Sequence, residues 1–158
     1  MIRTTIEDRV QEGAYFFAGS GRLNLGASGN IRIVFENPKT SKYRIVISRV
    51  IIGSASTEMR FAELFLFPTT GLPTTVRLSR NLSPTSSRQS SAFLKIDLGS
   101  PLDGGIITGI VFPIPAKGIY ECFQNTTICE PGYIHGINIP FSDNSDLTVV
   151  YEWWEEVR

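Results

Sequence analysis

The chain has 158 residues, which is the size of one domain and enough to bury a sizeable core without metals or several disulfides. Its fifteen basic and fifteen acidic residues cancel, so we expect neither nucleic acid nor an anionic membrane surface as a partner. Only 19% of the residues are charged and 42% are apolar, with 14 glycines and 9 prolines, a composition typical of many short strands joined by tight turns.

The sequence also lacks the patterns of two membrane-related segments. Every apolar run is interrupted by a charge, Gly or Pro well before the roughly 18 residues that a membrane-spanning helix requires. The first residues, MIRTTIEDRVQEG, lack the apolar centre of a secretory signal. We therefore expect no membrane insertion, and synthesis without a recognisable signal peptide.

Residues 1–12 allow two interpretations. Ile2, Ile6 and Val10 recur at helical spacing, and Thr4 with Glu7 has the spacing of a capping box, which favours a short helix. The alternative is an extended polar arm that becomes ordered against the domain or a neighbour. We favour the arm, because three apolar residues over two turns make a weak helix. Residues 1–12 are thus assigned as an N-terminal arm, and 13–158 as one β-sandwich domain.

Strand-like alternation of apolar and polar residues begins at Ala14 and continues through 22–26, 30–37 and 43–52. Arg49 interrupts this alternation, which indicates a β-bulge or a strand end. In the following segment, 58–67, every position from Leu64 to Phe67 is apolar. That run indicates burial on both faces or contact with a partner, so Phe65 and Phe67 are candidate contact residues.

Residues 68–91 are rich in Pro, Gly, Ser and Thr and are predicted to form exposed connections around one short strand. Strand patterns resume at 92–98, 106–114 and 119–123, and the apolar segment 106–114 is interpreted as a central strand. At the end of the chain, 133–139 and 147–153 flank the turn-forming residues 142–146, which predicts a β-hairpin within a larger sheet.

These segments give about ten or eleven short strands, with no helix convincing enough for βαβ units. The predicted fold is therefore all-β, an antiparallel β-sandwich of jelly-roll type with a short N-terminal arm. An immunoglobulin-like sandwich fits less well, because Cys122 and Cys129 are too close in sequence to bridge two sheets around a core Trp.

Cys122 and Cys129 frame the short segment CFQNTTIC. Their spacing fits an intrachain disulfide better than a zinc site, because no second Cys pair and no neighbouring His completes a tetrahedral ligand set. Whether the pair is oxidised or reduced depends on the compartment, and the sequence leaves both states open.

The residues with catalytic or ligand-binding chemistry form no enzyme signature. His135 is the only histidine, and its place in a strand with Tyr133 and Ile137 favours a packed side chain. No GxSxG, HExxH or EF-hand pattern is present, so we expect a non-enzymatic protein without a metal or other cofactor. The C-terminal Glu152, Glu155 and Glu156 are interpreted as exposed solubilising charges.

Two segments match the glycosylation sequon, Asn81-Leu82-Ser83 and Asn125-Thr126-Thr127. The motif is short and arises often by chance in loops rich in Ser and Thr. It has a consequence only where the host glycosylates exported proteins.

The C-terminal stretch PGYIHGINIPFSDNSDLTVVYEWWEE combines a Gly-containing strand, a polar turn and an aromatic-acidic ending, and YFFAGSGRLNLG and FENP lie nearer the start. In these segments the chain resembles small jelly-roll proteins on the outside of bacteriophage virions and of assemblies such as endospore appendages. The resemblance implies a structural subunit on a virion, spore or extracellular surface, released by lysis. It also implies an N-terminal arm that links neighbours, here without the cysteines that the appendage arms carry.

We therefore expect a non-enzymatic, self-associating jelly-roll subunit, a homo-oligomer linked through its arm and apolar sheet surface. The candidate assembly residues are Ile2, Ile6, Val10, Phe65, Phe67 and Trp154. The alternative hypothesis is a carbohydrate-binding module that recognises a cell-surface glycan. In that case Tyr133, Trp153 or Trp154 would stack on a sugar ring, since Trp153 and Trp154 point to opposite faces of one strand.

Overall fold

The structure, a computed structural model, describes residues 5–123 and 127–158, except for the side chain of Ile107. In these residues one short helix precedes twelve β-strands. The helix α1 spans Ile6–Gln11, and the strands are β1 Tyr15–Gly19, β2 Gly29–Glu36, β3 Tyr43–Ser54, β4 Arg60–Leu66, β5 Val76–Arg77, β6 Arg80–Asn81, β7 Phe93–Gly99, β8 Ile106–Ile114, β9 Ile119–Cys122, β10 Thr127–Cys129, β11 Ile134–Phe141 and β12 Leu147–Val157.

The strands form two antiparallel sheets that pack face to face. Sheet A has the order β10-β3-β12-β1-β6, with β9 also paired to β3, and sheet B has the order β5-β7-β2-β11-β4-β8. The central strands β1, β12, β3 and β9 therefore lie opposite β2, β11, β4 and β8, which is the strand arrangement of a jelly roll. The segment with β5, β6 and β7 is an insertion that extends both sheets. The prediction of an all-β, jelly-roll-like sandwich is confirmed.

The prediction of a C-terminal β-hairpin is wrong. Strand β11 pairs with β2 and β4 in sheet B, whereas β12 pairs with β1 and β3 in sheet A. Residues 142–146 therefore form an arch between the sheets, and the alternating apolar side chains of the two arms face each other across the core. A hairpin and an arch bury the same alternate residues, so periodicity alone does not distinguish them.

Side chains from the inner faces of both sheets fill one continuous core. Its largest fully buried members include Trp153, Tyr151, Phe16 and Phe35. Phe35 of β2 stacks on Tyr151 of β12 with ring centroids 5.4 Å apart, and the edge of Trp153 packs against the same Phe35 ring at 5.2 Å. The aromatic residues of the last strand thus join the two sheets.

The irregularity predicted near Arg49 is a β-bulge. Glu152 pairs with Arg49, but the next residue, Trp153, pairs with Ile47, so Ser48 is an extra residue in β3. The extra residue resets the alternation of faces. Ile45 and Ile47 before the bulge and Val50 and Ile52 after it are consequently all buried in the core.

The N-terminal segment differs from the extended arm that we favoured, because residues 6–11 form a helix. Thr5 caps the helix: its side chain accepts a hydrogen bond from the Asp8 backbone N–H, while the Asp8 carboxylate accepts from the Thr5 backbone N–H. This reciprocal capping box satisfies donors that a helix end otherwise exposes. It lies one residue beyond the predicted Thr4–Glu7 pair, and Thr4 and Ile2 are outside the described residues.

Strand β8 lies at the edge of sheet B and is not the central strand that its apolar sequence indicated. Among the described strands it pairs with β4 alone. Pro113 within β8 is consistent with this position, because a proline lacks the N–H that a central strand must donate. The apolar side chains of β8 are therefore partly exposed to solvent.

Candidate functional site

A group of exposed apolar side chains borders the free edge of β8. The side chains concerned are each between 42% and 54% exposed, and we call them the edge patch: Met59, Phe61, Phe67, Ile106, Ile110 and Val111. Phe61 pairs with Pro113 and Glu63 pairs with Val111, so Phe61 and Val111 share the outer face of sheet B. The patch thus combines the outer face with the sheet edge.

The backbone of β8 is poorly suited to pairing with another strand. Glu63 pairs with Val111 and Phe65 pairs with Ile107, so residues 108–110 bulge opposite Leu64. Within the bulge, the Thr108 hydroxyl donates to the Leu64 carbonyl at 2.8 Å and accepts from the Ile110 N–H at 3.1 Å. Because bulges and prolines blunt a sheet edge, side-chain packing is the contact that this edge offers.

Two of the candidate contact residues, Phe65 and Phe67, have different environments. Phe65 is buried on the outer face of sheet B under Leu102, with Val34 and Ile134 beside it, so it has little surface for a partner. Phe67 lies just after β4 with a positive φ of 50°, and its ring meets the edge of Tyr133 at 5.8 Å. Phe67 belongs to the edge patch, whereas Phe65 fills a small second core.

The N-terminal candidates lie on sheet A, away from the edge patch. Arg9 of α1 donates to Glu156 at 2.9 Å, and Glu156 also accepts from Arg44 at 2.7 Å, so the helix is fastened to the last strand. Partial burial opposes ionisation of Glu156, but the hydrogen bonds from Arg44 and Trp154 and the charges of Arg9 and Arg44 lower its pKa. Ile6 is 46% exposed and Val10 is half-buried. The helix thus leaves Ile6 accessible on the surface of sheet A.

The three aromatic residues considered for sugar stacking do not share a surface. Trp153 is fully buried and its Nε1 donates to Ser90 Oγ at 3.0 Å. Trp154, on the opposite face, is half-buried, stacks on Tyr15 and donates from Nε1 to Glu156. Tyr133 packs against Phe67 and His135. Burial therefore excludes Trp153 from stacking on a sugar, whereas Tyr133 and Trp154 remain partly exposed; the opposite orientation of the two tryptophans is confirmed.

The C-terminal carboxylates are paired, which corrects their interpretation as exposed solubilising charges. Glu152 accepts from Arg49 Nε and Nη2 at 2.7 and 3.0 Å, and from the Tyr15 hydroxyl at 3.0 Å. The Glu155 side chain is 0% exposed and bonds to Arg88 at 2.9 Å. Their alternation along β12 places Glu155 on the inner face and Glu152 on the outer face.

His135 occupies an aromatic cage in the core, as its strand position indicated. Its ring stacks on Phe35, Phe123 and Tyr151 at 5.4 to 5.8 Å, and Nε2 lies 3.1 Å from the Tyr151 hydroxyl. Nδ1 is buried without a hydrogen-bond partner among the described residues. Desolvation lowers the pKa of His135 to about 3, so the imidazole is neutral at physiological pH. A neutral, enclosed imidazole is poorly placed to act on a substrate.

The candidate Cys122–Cys129 disulfide is not formed, and both thiols are free. Cys122 pairs with Val50 and Cys129 pairs with Ile45, so both cysteines lie beside β3 and five residues apart along it. At about 3.3 Å per residue this separation is about 16 Å, far more than the roughly 7 Å that a disulfide spans between Cα atoms. Closeness in sequence is lost because β9 and β10 pair with successive parts of β3.

We therefore expect two free thiols that react slowly in the native protein. Burial raises the pKa of Cys122 and of Cys129 to about 12, which leaves almost no thiolate at pH 8. Iodoacetamide labelling followed by intact-mass measurement tests this expectation, with labelling in denaturant as the control. Rapid labelling of the folded protein, or a mass two protons lower before reduction, would contradict it.

The carboxylates of the arch at 142–146 contact protein donors. Asp143 accepts from Arg60 Nη2 at 2.9 Å, from Ser56 Oγ at 2.7 Å and from the Ser145 N–H at 2.8 Å. The hydrogen bonds from Ser145 and Ser56, followed by the Arg60 charge, hold the pKa of Asp143 below its usual range. Asp146 pairs with Arg22. Asp143 thus fastens the arch to the start of β4, and Asp146 fastens it to the segment between β1 and β2.

The first sequon is also occupied by structural contacts. Asn81 Nδ2, the atom that a glycan would modify, donates to the Gly13 and Arg88 carbonyls and to Ser86 Oγ at 2.7 to 3.2 Å. Attachment of a sugar would replace one of the two Nδ2 hydrogens that make these contacts. The second sequon includes Asn125 and Thr126, which lie outside the described residues.

Comparisons with protein-family models, curated proteins and solved structures give no match for this chain. No helix in the described part of the chain has the length and apolar character needed to cross a membrane. Across 5–123 and 127–158, no three His, Cys, Asp or Glu side chains are grouped to hold a metal ion. The fold places this protein in the class of jelly-roll-like β-sandwiches. Its exposed surfaces are therefore the candidate functional sites.

The sequence interpretation missed most of the edge patch. Of its members the sequence predicts only Phe67, because interpreting 106–114 as a central strand hides the exposure of Ile106, Ile110 and Val111 and of Met59 and Phe61 beside them. Pro113 was the signal that could have identified an edge strand, since prolines within sheets are confined to edges, strand starts and bulges.

Proposed function

We propose that this protein is a non-enzymatic structural subunit that associates with copies of itself through the edge patch, on a virion, spore or other surface assembly. The observation that carries the proposal is the run of half-exposed apolar side chains along β8 and the neighbouring part of β4. The location rests on the resemblance of the C-terminal stretch to surface jelly-roll proteins. The burial of the only histidine in the core supports a role other than catalysis.

The size of the edge patch suits a second copy of the chain. Half exposure of six large apolar side chains corresponds to about 500 Å² per copy, and two copies would bury about 1,000 Å², near the lower limit for a specific interface. The chain has no net charge, so electrostatic repulsion between copies is small. Because the patch would meet itself, the expected contact is a two-fold dimer.

A two-fold contact closes on itself, so a larger assembly needs a second contact. The N-terminal segment is our proposal for it, because α1 leaves Ile6 exposed on sheet A while the edge patch lies on sheet B. Residues 1–12 would then link dimers, as the N-terminal arm does in the endospore-appendage subunits that the chain resembles. The two contacts are separable by mutation.

We expect the double change Ile110→Lys and Val111→Lys to weaken self-association at least tenfold. Both side chains are already about half exposed, so the monomer accommodates a lysine at either position. In the dimer interface the charge of each lysine would be desolvated, which opposes association. Light scattering over a range of protein concentrations measures the effect, and deletion of residues 1–12 should remove species larger than a dimer.

The matched control is Leu78→Lys, which replaces a 78% exposed leucine between β5 and β6 at the opposite side of sheet B. This variant should associate like the wild-type protein. A wild-type chain that stays monomeric at the highest concentration, or equal association of all variants, would refute the role of the edge patch.

A further inference from the structure

A groove of about 610 Å³ crosses the outer face of sheet A beside α1. It crosses the strands in the order β9, β3, β12, β1 and β6. Four strand spacings of about 4.8 Å make such a groove about 19 Å long. Its lining changes from charged to aliphatic along this length: Glu121, Ser48, Arg49, Glu152, Tyr15, Leu82 and Ile6.

The charged end offers both hydrogen-bond donors and acceptors to a ligand. Arg49 uses Nε and Nη2 on Glu152 but remains 43% exposed, so its other N–H groups are accessible. Glu121 pairs with Ile51, two residues from Arg49, which puts both side chains on the outer face. Glu121 is exposed and forms no ion pair within the described residues. A free carboxylate thus lies near a partly free guanidinium.

The other end of the groove is aliphatic. Ile6 from α1 and Leu82, the residue after β6, are 46% and 45% exposed. Tyr15 also lines the groove, but it is 2% exposed, its ring stacks on Trp154 and its hydroxyl donates to Glu152. Apolar contacts here would come from C–H surfaces on both sides, without aromatic stacking.

We propose that this groove binds a neutral oligosaccharide. A sugar chain presents apolar C–H faces for Ile6 and Leu82, and hydroxyls that donate to Glu121 and accept from Arg49. Glu121 and Glu152 would repel a polyanion, and Arg49 would repel a polycation. A neutral chain therefore fits the mixed lining better than either. The site is distinct from the stacking residues expected from the sequence.

The test is a calorimetric titration with neutral oligosaccharides, namely cello-, xylo-, manno- and N-acetylchito-oligomers, and with chitosan and polyuronate oligomers as charged comparisons. Trp154 provides a second signal, because it stacks on Tyr15 in the groove while Trp153 is enclosed in the core. Glu121→Gln should weaken binding at least tenfold, since a hydrogen bond to a charged group is lost. Glu58→Gln, an exposed carboxylate outside the groove, is the matched control.

Saturable binding of a neutral oligomer that Glu121→Gln weakens and Glu58→Gln leaves unchanged would establish the proposal. Absence of binding across the panel would overturn it. So would binding restricted to chitosan or polyuronate oligomers, or an equal loss in both variants.

Discussion

Lowering the pH from 7 to 5 is expected to reduce the free energy of unfolding by about 2 kcal/mol through His135 alone. The folded protein keeps this imidazole neutral with a pKa of about 3, whereas the unfolded chain protonates it near its ordinary value of 6.5. Above about pH 6.5 His135 therefore does not reduce the free energy of unfolding. Below that pH the free energy of unfolding decreases progressively as the pH falls toward 3. Urea unfolding at a series of pH values measures the loss.

The groups around His135 do not titrate in this range. Burial raises the pKa of Tyr133 to about 12 and that of Tyr151 well above its ordinary value. It also raises the pKa of both cysteine thiols. The carboxylates with lowered pKa, Asp143 among them, lose their stabilising contribution below about pH 4. The interval from pH 7 to 5 thus isolates the histidine.

Two variants separate the charge of His135 from its hydrogen bond. Tyr151→Phe removes the hydroxyl but keeps the buried imidazole, so it should retain the pH dependence. The double variant His135→Phe and Tyr151→Phe replaces both polar groups and should lose it between pH 7 and 5. An unchanged slope in the double variant would show that another group causes the acid sensitivity.

The second large effect is expected at Glu155, where Glu155→Ala should cost about 3 kcal/mol of unfolding free energy. The carboxylate is buried and accepts from Arg88 Nη2, Ser90 Oγ, and the Ser91 N–H and hydroxyl at 2.7 to 3.0 Å. Ser90 also accepts the Trp153 indole N–H. Removal of Glu155 would release the 83–92 connection from the end of β12.

Chemical denaturation of three variants tests this account of Glu155. Glu155→Gln keeps an acceptor oxygen and should cost less than Glu155→Ala. Glu130→Ala removes a half-exposed carboxylate that pairs with Arg158, so it should change stability by less than about 0.5 kcal/mol. Equal effects at Glu155 and Glu130 would contradict the structural role of the buried carboxylate.

Local patterns were sufficient to predict the fold class and an irregularity near Arg49, which is the bulge in β3. Alternation placed Ile31, Ile33 and Phe35 on one face, and the polar Arg49 showed where the alternation changed phase. The same patterns failed for strand pairing, because the arch at 142–146 has the turn-forming residues that a hairpin loop also uses. Pairing depends on long-range contacts such as Asp143 with Arg60 and Ser56, which no local window contains.

The functional surfaces were harder to predict than the core. Burial of Glu155 and the separation of Cys122 from Cys129 both follow from strand register. The register cannot be predicted from the sequence until the partner of each strand is known. Exposure of Val111 follows from the position of β8 at the edge of sheet B. The groove on sheet A combines residues from α1, the β6 region and four further strands, so its lining appears only in the folded chain.

Cross-linking at the edge patch tests the central claim most directly. Because Cys122 and Cys129 are buried, Val111→Cys would place one accessible thiol in the patch, and Leu78→Cys would place one outside it. With a short bismaleimide at low protein concentration, we predict covalent dimers of Val111→Cys and predominantly monomers of Leu78→Cys. Monomers in both samples, or equal cross-linking of both variants, would contradict self-association through the edge patch.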